Sequence, residues 1–154
     1  MPAESTSGLA LVDVAGEGGV ILAPEWLPRA EPVHRQLRES LPADYAGRMA
    51  VVFANGARMS LAVQGEAVRG LAVWRVVENT YEGRRLYVDD LVTDAAQRSR
   101  GVGKFLIAQL EACAHVLGCN VLTLDSGTQR TAAHRFYFRE GFVIPSFCFR
   151  KTLS

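Results

Sequence analysis

No stretch of the 154 residues approaches the roughly 20 consecutive apolar residues that span a bilayer. No membrane span is expected. An excess of charge of either sign is missing too. The 17 Lys and Arg against 16 Asp and Glu leave a net charge of +1, so no global field recruits nucleic acid or an anionic membrane. Cysteine is scarce. Cys113, Cys119 and Cys148 are odd in number and have no C-x-x-C spacing, which excludes a disulfide framework and fits reduced, buried thiols. Residues 1–8 are small and polar, without the apolar stretch of a signal peptide. Repeats, low-complexity tracts and linkers are absent. A cytoplasmic protein is the expectation, with no nucleic-acid and no membrane partner. What is there is ordinary globular composition, 49% apolar and 21% charged, long enough to bury one core. Residues 1–8 read as a flexible tail and 9–154 as a single domain.

The periodicity changes along the chain. Leu9 to Ala15 reads as a strand, ended by Gly16, Gly18 and Gly19. Pro32 suits the first turn of a helix whose stripe is Val33, Leu37 and Leu41, stopped by Pro42. Asp44 to Phe53 is a second helix, ended by Asn55-Gly56. The period then falls to two. Met59, Leu61 and Val63 alternate with small or polar residues, and Gln64-Gly65-Glu66 makes a hairpin into Val68 to Val77. After a polar turn, Arg85 to Thr93 is the next strand, completing an antiparallel meander. Gly103, Leu106, Ile107, Leu110, Cys113, Ala114 and Leu117 mark one helical stripe, with Gly118 as terminator. Asn120 to Asp125 is a strand reached through that helix, hence parallel to the one before it. Thr131 to Glu140 is a short helix. Phe142 to Ile144 and Phe147 to Lys151 read as closing strands, the latter a pairing edge for a homodimer.

Arg98-Ser99-Arg100-Gly101-Val102-Gly103-Lys104 joins a strand to a helix. Glycines 101 and 103 strip side chains from the turn where the helix begins. The first N–H groups of a helix lack internal acceptors, and its dipole adds positive charge, so such a terminus takes a phosphate. Arg98, Arg100 and Lys104 strengthen the same field. A P-loop would need glycine where Arg98 stands and Ser or Thr where Phe105 stands. A dinucleotide fingerprint would need glycine in place of Leu106. The remaining account of these seven residues alone is a plain turn with solvated arginines.

A second run narrows the choice. Arg98-x-x-Gly101-x-Gly103, preceded by Leu91-Val92-Thr93, resembles the acetyl-coenzyme A signature of the GNAT superfamily of N-acetyltransferases. Ala133-His134-Arg135-Phe136-Tyr137-Phe138-Arg139-Glu140-Gly141-Phe142 is similar to that family's second signature, Ala-x-x-Phe-Tyr-x-x-x-Gly-Phe. The two stand in the right order, separated by a helix and a strand. The resemblance runs from Leu86 to Phe142; over residues 9–85 it rests on the order of elements. Val88 to Thr93 and Leu124 to Gly127 with Gln129-Arg130 look similar to a bacterial branch of small acetyltransferases. One departure is Arg130, where the family often has Asn seven residues before its tyrosine. Arg130 either meets a coenzyme A phosphate or lies on the surface.

The resemblance implies an α/β (α+β) domain. Its sheet is mixed and mostly antiparallel, flanked by helices, and a splayed parallel strand pair forms an acetyl-CoA cleft. It implies that the pantetheine arm pairs with backbone of Leu91, Val92 and Thr93, and that the pyrophosphate lies on Arg98, Ser99, Arg100, Gly101, Val102, Gly103 and Lys104. An unprotonated amine then attacks the thioester, and coenzyme A leaves as a thiolate. Tyr137 matches the family tyrosine that protonates it; otherwise Tyr137 is a core aromatic beside Phe136. Asp89 and Asp90, on opposite faces of a regular strand, are candidates for the base or for binding the cationic acceptor; the bland account of each is a solvated carboxylate. Carboxylates on one strand do not converge, so no metal is expected. His34, His115 and His134 are scattered. The implied activity is acetyl-CoA-dependent N-acetyl transfer (an acyltransferase) to a small-molecule or peptide amine. The alternative is a non-catalytic acyl-CoA-binding sensor or interaction module.

Overall fold

The computed structural model describes residues 8–154, so the expected tail lies outside the described residues except for Gly8, which sits in a turn. Two compact units are present, the first ending at Thr123 and the second spanning Leu124–Ser154.

The first unit is built on a meander. β1 (Ala10–Ala15), β2 (Arg58–Gln64), β3 (Ala67–Asn79) and β4 (Gly83–Thr93) lie side by side and antiparallel, with α1 (Leu27–Leu37) and α2 (Tyr45–Ala54) inserted between β1 and β2. α3 (Val102–Val116) then crosses to β5 (Val121–Leu124), which adds parallel to β4 and completes a five-stranded mixed sheet. β5 has four residues against eleven in β4, and the bond from Asn120 N–H to the Arg84 carbonyl sets it beside the start of β4. The second half of β4 therefore runs on past the end of β5.

Both faces of the sheet are covered. On one, Val14, Met59, Leu61, Leu71, Val73 and Val92 pack with Leu27, Ala30 and Val33 of α1 and Tyr45, Met49 and Phe53 of α2. On the other, Ala62 and Leu91 meet Val102, Phe105 and Leu106 of α3. This double cover explains why β2 is buried at Ser60 and Ala62 as well as at the expected Met59, Leu61 and Val63. Ser60 is satisfied there: its hydroxyl donates to Asp13 Oδ1 at 2.7 Å and accepts from Trp74 Nε1 at 3.1 Å.

α1 begins one turn earlier than its proline pattern suggests. Pro28, not Pro32, occupies the first turn, and Pro32 lies inside the helix. The stripe is therefore Leu27, Ala30, Val33 and His34, and Leu41 lies beyond the helix. Asp44 caps α2 by accepting from Gly47 N–H at 2.9 Å. Gly70 on β3 gives α3 its close approach: a Cβ there would lie 2.7 Å from Val102 Cγ1 and 2.9 Å from the Val92 carbonyl oxygen.

In the second unit, α4 (Thr131–Arg139) is followed by Glu140 and by Gly141 at φ +90°. The strands expected at Phe142 to Ile144 and Phe147 to Lys151 do not form; the chain from Gly141 onward has no helix or strand. Alternation alone makes no strand without a ladder partner for its backbone. Cys148, expected to be buried, is exposed for the same reason. No helix among the described residues is long and apolar enough to cross a membrane.

Gly70→Val would force a branched side chain against Val102 and the β4 backbone. The expected loss is about 1–3 kcal/mol of folding free energy, read as a lowered urea midpoint. An unchanged midpoint would refute the close packing of α3 on β3.

Candidate active site

The glycine turn is held at both ends. Asp94 N–H bonds the Arg69 carbonyl at 2.9 Å as β4 ends, and Ala95 N–H donates to Gln36 Oε1 of α1 at 2.8 Å. A short 3-10 turn, Ala95–Gln97, leads to Ser99 at φ +63° and Gly101 at φ +80°. Two left-handed residues within three positions fold the chain back sharply; glycine takes this conformation without strain. The first bond of α3 runs from Phe105 N–H to the Gly101 carbonyl at 2.9 Å, and no side chain caps the helix. The N–H groups of Val102, Gly103 and Lys104 thus have no acceptor within the helix. Val102 is buried as the anchor, while the side chains of Arg98, Ser99, Arg100 and Lys104 are exposed around the terminus. Leu91, Val92 and Thr93 lead through the Ala95–Gln97 turn to this terminus, so a strand end and a helix start with free N–H groups lie on one continuous segment.

Just upstream, β4 departs from regular alternation. Val73 pairs with Asp90 and Trp74 with Val88, so Asp89 is an extra residue opposite no partner. The bulge puts both carboxylates on the α1/α2 side of the sheet, whereas an unbroken strand would set them on opposite faces. Asp89 Oδ2 accepts from Arg75 Nε at 2.8 Å. Asp90 accepts from His34 Nε2 at 2.7 Å and from Arg38 Nε at 2.7 Å, and Arg38 Nη2 also donates to the Asp89 carbonyl at 3.1 Å. His34, 1% exposed, reaches Tyr45 Oη through Nδ1 at 2.8 Å.

Burial alone would push the Asp90 carboxyl up. The hydrogen bonds from His34 and Arg38, with the charge of Arg38, outweigh it and hold the group below the ordinary aspartate range. Burial, with Glu31 and Asp90 nearby, pushes the Tyr45 hydroxyl well above the usual tyrosine range. A hydroxyl that keeps its proton can donate to Nδ1, which leaves the ring N–H on Nε2 facing the carboxylate. In that order, Tyr45 to His34 to Asp90, every polar hydrogen finds an acceptor. None of His34, Arg38, Tyr45 or Arg75 stood out in the sequence. The available signal for His34 was its place on the inner stripe of α1, hidden by starting the helix at Pro32.

In the second unit, Arg130 and Tyr137 are brought together. Tyr137 is 8% exposed, and its ring lies 5.5 Å from that of Phe136 and 5.7 Å from that of Phe142. Burial pushes its hydroxyl up, while the Arg130 guanidinium pulls it back. Arg130 is half-buried, and the candidate acid is its neighbour within the unit. His134 Nε2 donates to the Gly127 carbonyl at 2.8 Å, tying the loop before α4 to the helix.

Residues 22–142 match the model of the acetyltransferase (GNAT) family. The chain is similar to the uncharacterized N-acetyltransferase YhdJ of Bacillus subtilis strain 168, with 35% identity over 130 residues that cover 82% of this chain and 91% of that protein. Among solved structures, a ribosomal-protein-alanine N-acetyltransferase from Brucella melitensis superposes with a TM-score of 0.77 at 13% identity, covering 95% of this chain and 99% of its own. The aminoglycoside acetyltransferase meta-AAC0020 from an uncultured soil sample, in complex with trehalose, gives 0.76 at 19% identity, covering 97% and 99%. These two share the fold.

Because the Asp90 pKa is depressed on folding, its ion pairs stabilise the protein above the unfolded value of about 3.9 and stop doing so as pH falls through the folded value. Asp90→Asn should cost about 1.5–3 kcal/mol near neutral pH, the scale of a hydrogen bond to a charged group. The gap between wild type and variant should narrow below about pH 4. Urea titrations across that range test it, and a pH-independent gap would count against the pairing.

Proposed function

Since this chain belongs to the acetyltransferase (GNAT) family, we propose that it transfers the acetyl group of acetyl-coenzyme A to a primary amine by direct attack. The observation that carries the reading is the uncapped start of α3 at Gly101, reached from the β4 strand end through the short Ala95–Gln97 turn. Backbone of Leu91, Val92 and Thr93 would pair with the pantetheine amides, and the N–H groups at Val102 to Lys104 would take the pyrophosphate. Arg98, Arg100 and Lys104 would add charge, and Ser99 a hydroxyl. The donor set fits the group: three aligned N–H groups and basic side chains for an anion, a strand edge for an amide-bearing arm.

The amine lone pair forms the new C–N bond at the thioester carbonyl, and the C–S bond breaks with its electrons on sulfur. Tyr137 would give that thiolate its proton. A thiol near pKa 8.5 and a phenol near 10 make the hydrogen bond well matched, and burial keeps Tyr137 protonated at neutral pH. Arg130 would hold the phenol by donating to its oxygen. The amine's proton must leave in the other direction. Asp90 is committed to His34 and Arg38, so we assign it to positioning α1 over the bulge. Asp89, with one arginine partner, is the candidate to hold the acceptor's ammonium and relay its proton, directly or through water. We place the enzyme in the cytoplasm, with a small-molecule or peptide amine as acceptor and no metal.

Release of free thiol from acetyl-coenzyme A is the test, run against polyamines, amino acids, aminoglycosides and peptides. Amine-dependent release is expected; tight binding without release across the panel would favour a non-catalytic sensor. Tyr137→Phe should lower kcat by about 10²-fold or more with acetyl-coenzyme A affinity unchanged. Full activity would move the acid elsewhere. Gly101→Val, placing a branched residue at φ +80°, should cost at least about tenfold in that affinity, a change of about 1.4 kcal/mol. Unchanged affinity would remove the pyrophosphate cradle from this turn.

A further inference from the structure

Beyond the end of α2, the face of the sheet that carries Asp89 is lined by two arginines and a tyrosine. Arg75 pairs across the ladder with Tyr87, two residues before the bulge. Arg75 Nη1 donates to the Asn55 carbonyl at 3.4 Å, where α2 ends. Arg85, two residues before Tyr87, sets its guanidinium carbon 5.4 Å from the centre of the Tyr87 ring. Donors exceed acceptors on this floor. Each guanidinium has five N–H groups and accepts nothing. Arg75 uses Nε on Asp89 and Nη1 on Asn55, and Arg85 Nη1 pairs with Glu82 Oε2 at 3.5 Å. Arg85 Nε is buried and has no hydrogen-bond partner among the described residues. A buried donor left unpaired is costly, and such groups are rare in folded proteins.

We propose, resting on the acetyl-transfer reading that puts the acceptor's ammonium at Asp89, that Arg75 and Arg85 bind an acid group on the same acceptor. The amine that is acetylated then belongs to a short amino acid, not to a polyamine or an aminoglycoside. A zwitterion matches the floor at both ends. Its ammonium meets Asp89, which has one arginine partner. Its carboxylate meets the two guanidiniums, whose planar donor forks suit a carboxylate, and gives Arg85 Nε its acceptor. The positions of Arg85 and Asp89 are at most about 13 Å apart along the strand. The Arg85 guanidinium leans over Tyr87, midway between them, so a short chain spans the gap. A polyamine would set its second ammonium beside two guanidiniums, and like charges brought together oppose binding. Asp90 offers it no alternative, because both its oxygens already accept from His34 and Arg38. An amine without an acid group would leave Arg85 Nε unpaired, the condition under which a site discriminates most strongly.

Isothermal titration of the full chain with coenzyme A present tests the floor directly. Glycine, β-alanine and 4-aminobutanoate are each compared with their own carboxamide, which keeps the amine and removes the charge. At least one acid should bind at least about tenfold more tightly than its amide, the scale of a hydrogen bond to a charged group. Arg85→Gln should bring that ratio close to one. The acid-to-amide comparison on the unaltered chain needs no variant to fold. Thiol release from acetyl-coenzyme A, run on the same six compounds and on putrescine, separates the two readings. An acid preference in binding with no release from any amine supports the acid-binding floor and overturns acetyl transfer. Release with putrescine or the amides as fast as with the acids supports acetyl transfer and overturns the floor. Equal binding of acid and amide, binding of neither, or a preference that survives Arg85→Gln overturns it too.

Discussion

A carboxylate taken out of water must be matched by donors, or it will be neutral or the chain will rearrange. Asp90 meets that demand with His34 on α1 and Arg38, the residue that caps the helix's C-terminal end. Much of the first unit depends on this pairing. It fixes α1 across β4 where the strand is irregular, and Arg38 reaches the carbonyl of the extra residue at the same time. Through His34 it draws in Tyr45 at the first turn of α2. Gln36, on the same helix, holds the loop that leaves β4. One helix thus positions the strand end, the bulge and the approach to the glycine turn.

The parts legible in the sequence share a property: each depends on neighbours close along the chain. The period of two from Met59 to Thr93, the stripe of α3, the glycines at 101 and 118, and the two signatures around Gly101 and Tyr137 are local patterns, and the fold keeps them. What the sequence hid depends on distant partners. A bulge is defined against the opposing strand, so nothing at Asp89-Asp90 announces that both carboxylates share a face. His34 looks scattered until α1 is given its start at Leu27 and Asp90 is placed beside it. The alternation at Phe147 to Lys151 was real, but a strand also needs another strand.

The structural likenesses separate architecture from choice of acceptor. The two solved structures named above belong to proteins described as acting on an aminoglycoside and on a ribosomal-protein alanine, and both superpose over nearly the whole chain. A shared scaffold with different acceptors places discrimination in side chains rather than in topology.

The bulge also separates two demands that strands usually merge. Counted outward from Val88, the apolar residues Leu91 and Val92 fall on the faces they would occupy if Asp89 were not there at all. Excising that residue would straighten the strand and leave each core contact in phase. Position 89 is therefore exempt from the parity that governs its neighbours. Its side chain answers to Arg75, and its carbonyl to Arg38, rather than to the apolar packing on either face.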